Sequence, residues 1–196
     1  MMKLLVVIAT CLSFSTVFAA EPARPANETP LPKEPAGYRW ERFTEVQSAF
    51  LCPDGWYTFH KAGTNSHTYV ISKESVATNG LFETGLTLQA VKGLLTKKGV
   101  SPSGFAVQMA QGLLEKHENT TLSTQDISSG PFKAFFLRYR NAPATVKPIV
   151  VHKVFIANNK KDTLFIVTFE APEKQWDEAW RLGEPMVKKF LIDDEY

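Results

Sequence analysis

Two consecutive segments in the last quarter of the chain carry large apolar residues on both of their alternating faces. Residues 149–156 are β-branched or aromatic except at His152 and Lys153, and residues 163–169 repeat this pattern after the polar cluster 158–162. The faces of the first segment are Ile149, Val151 and Phe155, and Val150, Val154 and Ile156; those of the second are Leu164 and Ile166, and Phe165, Val167 and Phe169. A strand exposed to water on one side would alternate apolar with polar residues. We therefore predict a central hairpin covered on both faces.

A run of apolar residues at helical spacing follows the hairpin. Its members are Trp176, Ala179, Trp180, Val187, Phe190 and Leu191. This pattern predicts a helix that covers one face of the hairpin. Because a proline inside a helix removes one backbone hydrogen bond and costs ~3 kcal/mol, we interpret Gly183-Glu184-Pro185 as a kink or a break between two helical pieces.

A second helix is predicted to begin after Ser101 and to end near His117. Ser101 before Pro102 is typical of an N-cap followed by a proline at the first helical position. The apolar stripe of this helix is Phe105, Met109, Leu113 and Leu114. We expect it to cover the other face of the hairpin.

Further strands are predicted around this frame. They span residues 56–60, 67–72, 82–91, 120–127 and 132–140. Pro53-Asp54-Gly55 is a strong turn signal, which we interpret as the turn of a hairpin joining 50–52 to 56–60, and Gly85 is a candidate bulge. The expected fold is α+β, a mostly antiparallel sheet with helices on both faces, in an α/β/α sandwich.

The first residues have the layout of an export signal. Lys3 precedes the mostly apolar stretch 4–18, and Ala19 suits signal-peptidase cleavage, with Ala20 as the alternative site. The rival interpretations are an uncleaved anchor, for which the apolar stretch is short of ~20 residues, and a lipoprotein modified at Cys11.

Three regions follow from this layout. Residues 1–19 are the predicted signal peptide, 20–37 a proline-rich linker and 38–196 a single globular domain. The linker prolines are Pro22, Pro25, Pro30, Pro32 and Pro35. We expect the protein to be exported, periplasmic or extracellular after cleavage, and no later segment has the length of a membrane span.

Charge and cysteine usage narrow the choice of partners. The net charge of +2 is near neutral and gives no argument for nucleic acid or an anionic membrane. Cleavage would leave Cys52 as the one cysteine, so no disulfide within the chain is expected. We expect the partner to be a protein of the cell envelope, and a small-molecule ligand stays open.

Candidate chemistry is sparse. Cys52 with a histidine is the first enzymatic hypothesis, against which stands the common role of free cysteine as a small buried side chain. The metal candidates are His60, His67, His117 and His152. His60 and His67 flank one loop and could approach each other across a hairpin, although no dense ligand spacing such as H-E-x-x-H occurs and Asp54 or Glu74 could join only by coincidence.

Aromatic residues give one further candidate site. Trp176 and Trp180 could form a ligand pocket, with Trp40, Trp56 and Tyr57 adding aromatic surface, whereas packing against the sheet is the ordinary role of aromatics at helical spacing. The sequence holds no phosphate loop, dinucleotide fingerprint or G-x-S-x-G motif. We therefore assign no catalytic, cofactor-binding or metal-binding residue and expect no cofactor.

The chain resembles the PsbP-like superfamily over roughly residues 39–192. The residues that carry the resemblance are Phe50-Leu51-Cys52-Pro53-Asp54-Gly55-Trp56, the strand at 130–140 that begins Gly-Pro-Phe, the final hairpin, and the helix ending Val187-Lys188-Lys189-Phe190. The superfamily is named for an extrinsic subunit of photosystem II and includes a small Ran-binding nuclear protein and exported bacterial proteins. The resemblance implies a fold, and it transfers no functional residue because function depends on the site.

Three hypotheses for function remain. The leading one is a non-catalytic exported accessory or binding domain of the cell envelope. The second is an envelope enzyme or metal-binding protein that uses Cys52 or a histidine cluster. The third is an adaptor that docks on a membrane-bound complex, with residues 21–37 as its spacer.

Overall fold

The computed structural model describes residues 30–63, 66–76, 82–117, 121–126, 130–142, 147–193 and 196. The predicted signal peptide and the first part of the predicted linker lie outside the described residues. Along the described part of the chain, no helix combines the length and the hydropathy that crossing a membrane requires.

Ten strands and three helices follow one another along the described residues. In chain order they are β1 (Tyr38–Phe43), β2 (Ser48–Pro53), β3 (Tyr57–Ala62), β4 (Ser66–Ser72), β5 (Gly85–Lys92), α1 (Leu94–Lys98), α2 (Pro102–Lys116), β6 (Thr121–Asp126), β7 (Phe132–Asn141), β8 (Ile149–Asn158), β9 (Thr163–Pro172), α3 (Trp176–Lys188) and β10 (Leu191–Ile192). A seven-stranded sheet has the order β3-β4-β5-β9-β8-β7-β6, and a three-stranded sheet has the order β1-β2-β10. Every strand pair is antiparallel.

The predicted central hairpin is β8–β9, near the middle of the larger sheet. Its ladder runs from Ile149 opposite Pro172 to Asn158 opposite Thr163. One face packs with α1 and α2 in a core that includes Leu94, Ala106, Ala110, Val151, Phe155, Leu164 and Ile166. The other packs with α3 and the smaller sheet in a core that includes Phe50, Leu51, Val154, Ile156, Phe165, Val167, Phe169 and Met186. The prediction of an α+β sheet covered by helices on both faces is confirmed.

Helix α2 begins as predicted. The hydroxyl of Ser101 accepts a hydrogen bond from the N–H of Gly104 at 3.2 Å, and Pro102 is the first helical residue. A Ser N-cap satisfies one of the N–H groups that the first turn leaves without an intrahelical partner. The predicted stripe packs against the core on this face.

Asp162, in the turn between β8 and β9, joins this turn to the short helix α1, which the sequence analysis missed. Its carboxylate accepts hydrogen bonds from the N–H of Leu95 at 2.8 Å and of Thr96 at 3.1 Å, and its carbonyl accepts one from Gly93 at 2.9 Å. Asp162 has a positive φ of 49°, a conformation that aspartate tolerates better than most residues. Residues far apart in sequence are thus held at one end of the sheet.

Helix α3 runs through Pro185 without interruption, so the predicted break is wrong. Met186 is 0 % exposed and Val187 4 %. Burying two such side chains contributes about 1.5–3 kcal/mol each, which offsets the ~3 kcal/mol that the proline costs. The placement of Phe190 and Leu191 on the helical stripe is also wrong, because α3 ends at Lys188. Leu191 pairs with β2 as part of β10 and is 40 % exposed.

The predicted hairpin across Pro53-Asp54-Gly55 is wrong as well. The turn exists, since Trp56 donates to the carbonyl of Pro53 at 3.1 Å and Gly55 has a φ of 77°. However, β2 pairs with β1 and β10, whereas β3 pairs with β4. The turn therefore passes the chain from one sheet to the other.

Gly85 does not form the predicted bulge. It begins β5 in register with Ser72 on one side and Glu170 on the other. A Cβ at this position would lie 2.6 Å from the carbonyl oxygen of Ile71. Glycine is therefore needed at this position because β4 and β5 approach each other too closely for a side chain.

Gly183 lets α3 lie directly against the sheet. A Cβ there would clash with the ring of Phe169, which is itself fully buried. We predict that Gly183→Ala destabilises the protein by about 1–3 kcal/mol, because overpacking outweighs the gain of up to ~1 kcal/mol in helix propensity. Urea unfolding monitored by circular dichroism measures the change.

Gly112→Ala is the matched control. Gly112 lies in α2 with nothing within 4 Å of its added Cβ. This variant should gain stability by up to ~1 kcal/mol from propensity alone. Equal stabilisation of both variants would show that α3 does not depend on close contact with Phe169.

Candidate functional site

The structure brings two of the four candidate histidines together. Nε2 of His60 on β3 lies 3.2 Å from Nδ1 of His67 on β4, and both side chains are accessible to water. This pair confirms the approach across one hairpin that the sequence predicted. Over the described ranges, no group of three or more His, Cys, Asp or Glu residues is arranged to hold a metal ion.

A carboxylate that the sequence analysis did not connect with the pair lies beside it. Oε1 of Glu45 is 3.7 Å from Nδ1 of His60, and Oε2 accepts a hydrogen bond from the hydroxyl of Tyr69 at 2.6 Å. The hydrogen bond from Tyr69 is the largest of the interactions that lower the pKa of Glu45 to about 2. A hydrogen bond from the backbone of Glu45 itself comes next, and Thr44 and His60 contribute less. Glu45 is therefore ionised throughout the physiological range. We call Glu45, His60, His67 and Tyr69 the histidine cluster.

The histidine cluster rests on a continuous stack of aromatic rings. The ring of His60 stacks on that of Tyr69 with centroids 4.1 Å apart, and Tyr69 stacks on Phe43 at 4.1 Å. Phe43 stacks in turn on Phe50, which is fully buried between the sheets. The surface pair of histidines is therefore oriented by the core beneath it.

His117 lies away from this cluster. It ends α2 and stacks on Tyr139 of β7 with centroids 4.4 Å apart. Burial, and then the nearby Lys116, lower its pKa. Packing on Tyr139 gives this side chain an ordinary structural role.

His152 lies between β8 and α3, on the face of the larger sheet opposite to that of His117. Its ring is 4.8 Å from that of Trp180, and its buried Nδ1 has no hydrogen-bond partner. Burial lowers its pKa to about 4, with Arg138 and Lys188 adding repulsion. His152 is therefore neutral near pH 7.

Trp176 and Trp180 pack on the sheet and do not open a pocket between them. Their rings stack 5.3 Å apart, and both meet the ring of Phe169 edge-on. The guanidinium of Arg138 lies 4.3 Å from the ring of Trp180 and 5.2 Å from that of Trp176. A protein cation thus occupies the aromatic face that a cationic ligand would use.

The other aromatic candidates differ in exposure. Trp56 is 8 % exposed and belongs to the core, and Trp40 is half-buried against it. Tyr57 is 51 % exposed on β3. Of the aromatic residues that the sequence singled out, Tyr57 is thus the one that faces solvent most fully.

Cys52 is enclosed within the core beside β1. It is 0 % exposed, and its Sγ lies 3.6 Å from the carbonyl oxygen of Pro53. Desolvation raises the pKa of the thiol to about 12, although Arg39 opposes the shift. Because the thiolate is the reactive form, Cys52 is a structural residue at neutral pH.

A partly buried pair of opposite charges lies in the sheet itself. Burial lowers the pKa of Lys153 on β8 and raises that of Glu170 on β9, and each group opposes the shift of the other. The sequence analysis missed this pair because both residues occupy otherwise apolar strands.

Comparison with known proteins finds likeness of structure at low identity. No protein-family model and no curated protein matches the chain. Among solved structures, cyanobacterial PsbP (CyanoP) of Synechocystis sp. PCC 6803 is 14% identical, over 85% of this chain and 99% of that one, with a TM-score of 0.49. The Ran-binding protein Mog1p of Saccharomyces cerevisiae is 13% identical, over 79% and 95%, with a TM-score of 0.46.

A third solved structure, from Bacteroides thetaiotaomicron VPI-5482, is 11% identical over 75% of this chain and 45% of that one, with a TM-score of 0.44. The likeness to a PsbP and to Mog1p agrees with the resemblance that the sequence analysis stated, with TM-scores below 0.5. At these identities it concerns the fold alone.

The buried thiol generates one prediction. Native protein should leave Cys52 unmodified by a thiol reagent such as DTNB at pH 8, and denaturation in guanidinium should release one reactive thiol in a sample without the signal peptide. A Thr58→Cys variant on exposed β3 is the control and should react at once. Rapid modification of Cys52 in the folded wild type would restore the nucleophile hypothesis.

His152 generates a prediction for pH. Its folded-state pKa of about 4 lies below the usual ~6.5, so between these values the unfolded state binds more protons and stability falls as the pH falls. His152→Gln should flatten that part of the curve of unfolding free energy against pH, measured by urea titration from pH 7 to pH 4. An unchanged slope would mean that folding does not shift the pKa of His152.

Proposed function

We propose that the protein is an exported, non-catalytic binding domain of the cell envelope that takes up an extended segment of a partner protein along strand β3. The observation that carries the proposal is the exposure of all six residues of β3, the terminal strand of the larger sheet. Such an edge presents unpaired backbone groups to which another strand can add.

The register identifies which backbone groups are available. Gly63 donates its N–H to the carbonyl of Ser66 at 2.7 Å, which makes this a hydrogen-bonded pair next to the β3–β4 turn. Hydrogen-bonded and non-hydrogen-bonded pairs alternate along an antiparallel ladder. From the register, Ala62, His60 and Thr58 therefore occupy non-hydrogen-bonded pairs with β4. Their N–H and C=O groups therefore point away from β4.

Two aromatic side chains lie beside these backbone groups. Tyr57 is 51 % and Phe59 42 % exposed, and their spacing of two places them on one face of β3. The other large apolar side chains with high exposure in the described residues are scattered over α1, α2, α3 and β10. Scattered apolar residues are ordinary, whereas an aromatic pair on an open edge supplies anchors for an added strand.

The exposed Lys61 on β3 favours a partner over self-association. A lysine on an edge strand discourages identical edges from pairing, because two copies would bring like charges together. A partner segment with an acidic residue opposite Lys61 would gain from the same charge. We therefore place a different protein on this edge.

The hypothesis of an envelope enzyme is weakened because its candidate nucleophile, Cys52, is not reactive in the fold. Cys52 is buried, and its raised pKa keeps it a thiol. Export rests on the signal-like layout of residues 1–19. The adaptor hypothesis stays compatible with a strand-binding edge, since the proline-rich linker could tether the domain near a membrane complex.

The edge is tested with Thr58→Pro. Proline at this position removes an outward-facing N–H and no bond of the β3–β4 ladder, so the fold should persist. The immobilised variant and wild type are exposed to envelope extract, and bound proteins are quantified by mass spectrometry. We expect at least one protein held by the wild type to bind about ten-fold less to the variant, from the lost hydrogen bond and the clash of the ring.

Thr58→Ala is the matched control, because it alters the same side chain and keeps the N–H. It should retain the partner, and both variants should melt close to the wild type. If Thr58→Pro and Thr58→Ala retain the same proteins in the same amounts, the partner does not pair with β3. Tyr57→Ser with Phe59→Ser then reports separately on the aromatic anchors.

Export is tested by expressing the chain from Met1 in a bacterium with a periplasm. The exported fraction should contain protein that begins at Ala20, as read by N-terminal sequencing. Recovery in the cytoplasm with residues 1–19 attached would contradict export while leaving the strand-binding proposal in place.

A further inference from the structure

The two imidazoles of the histidine cluster share one short contact. Nε2 of His60 and Nδ1 of His67 are 3.2 Å apart. In a neutral histidine one ring nitrogen carries a proton and the other a lone pair. The contact is therefore favourable when one proton lies between the two nitrogens, and unfavourable when each nitrogen carries its own.

A metal ion can take the place of that proton when His67 changes tautomer, so that its proton moves from Nδ1 to Nε2 and both facing nitrogens offer a lone pair. Two nitrogens bound to one Zn²⁺ at ~2.0–2.1 Å in tetrahedral geometry stand ~3.3 Å apart. The separation of 3.2 Å between His60 and His67 already matches this value. We propose that His60 and His67 together bind a divalent transition metal ion, with Zn²⁺ or Cu²⁺ as the chemical class that imidazole favours.

Glu45 supports the ligand without contacting the metal. Its Oε1 lies 3.7 Å from Nδ1 of His60, the ring nitrogen that faces away from His67. A carboxylate at this position favours the proton on Nδ1 and leaves the lone pair on Nε2. Tyr69 holds Glu45 in turn through the bond of 2.6 Å. At 3.7 Å Glu45 acts on His60 through its charge, without a direct hydrogen bond.

The ring of His60 is also held before any ion arrives. It lies nearly parallel to the ring of Tyr69, with 5° between their planes, and Tyr69 stacks on Phe43 of β1. A ligand with a fixed orientation loses less conformational freedom on binding. The ring of His67 is nearly parallel to that of His60 but lies farther from it than Tyr69 does, with centroids 5.5 Å apart.

The proposed site is open. His60 and His67 supply two ligands, and in the described part of the chain no third His, Cys, Asp or Glu completes a metal-holding group. Water or a side chain from outside the domain would fill the remaining positions. The proposal does not depend on the proposed function, since the backbone of β3 faces the sheet edge and the side chain of His60 faces Glu45.

The test is isothermal titration of the purified protein with ZnCl₂, and separately with CuCl₂, at pH 7.5. We expect one saturable site in the wild type and its loss in His60→Gln and in His67→Gln. Glu45→Gln should weaken binding by about 10–100-fold, the usual effect of removing a carboxylate that orients a ligand. His117→Gln, at the distant histidine, should bind as the wild type does.

Two further readouts separate a site from a structural effect. Zn²⁺ should raise the melting temperature of the wild type and of Thr58→Pro, and should leave that of His67→Gln unchanged. Binding should also weaken as the pH is lowered, because the ion competes with protons for the imidazole nitrogens. Absence of saturable binding in the wild type, or undiminished binding in both histidine variants, would overturn the proposal.

Discussion

The fold depends on a hairpin that has no polar face. Strands β8 and β9 present apolar side chains on both sides, so a single covering layer would leave half of them in water. Two helices must therefore dock, α2 on one side and α3 on the other. The second docking is possible because Gly183 admits the ring of Phe169. Two cores result, and the hairpin is common to both.

Sequence patterns were sufficient wherever the determining interactions are local or periodic. Apolar residues on both faces of β8 and β9 predicted that both faces are covered, and Ser101-Pro102 predicted the start of α2. The approach of His60 to His67 was also predictable, since two strands joined by a short loop place residues near the turn close together. In each of these cases the interacting residues are close in sequence, or the periodic pattern of apolar residues specifies the buried faces.

Sequence patterns did not predict contacts between segments that are distant in sequence and meet only in the folded protein. Turn residues at Pro53-Asp54-Gly55 specify a reversal of direction but not which sheet the next strand joins. Glu45 reaches His60 from the turn that connects β1 to β2 of the smaller sheet, and no spacing in the sequence relates the two. The rule against proline in a helix is likewise local, and the burial of Met186 and Val187 overrides it. The carboxylate of the candidate site was therefore visible only once the sheets were assembled.

The tie between Asp162 and α1 has a consequence for kinetics. It connects residues 67 positions apart, and it lies just beyond the end of the β5–β9 ladder, where Lys92 faces Thr163. Such a contact forms after the strands have met, because the entropy of closing a long loop must be overcome first. Interactions made after the rate-limiting step slow unfolding and leave the folding rate almost unchanged. We therefore expect the Asp162 carboxylate to lengthen the lifetime of the native state more than it speeds its formation.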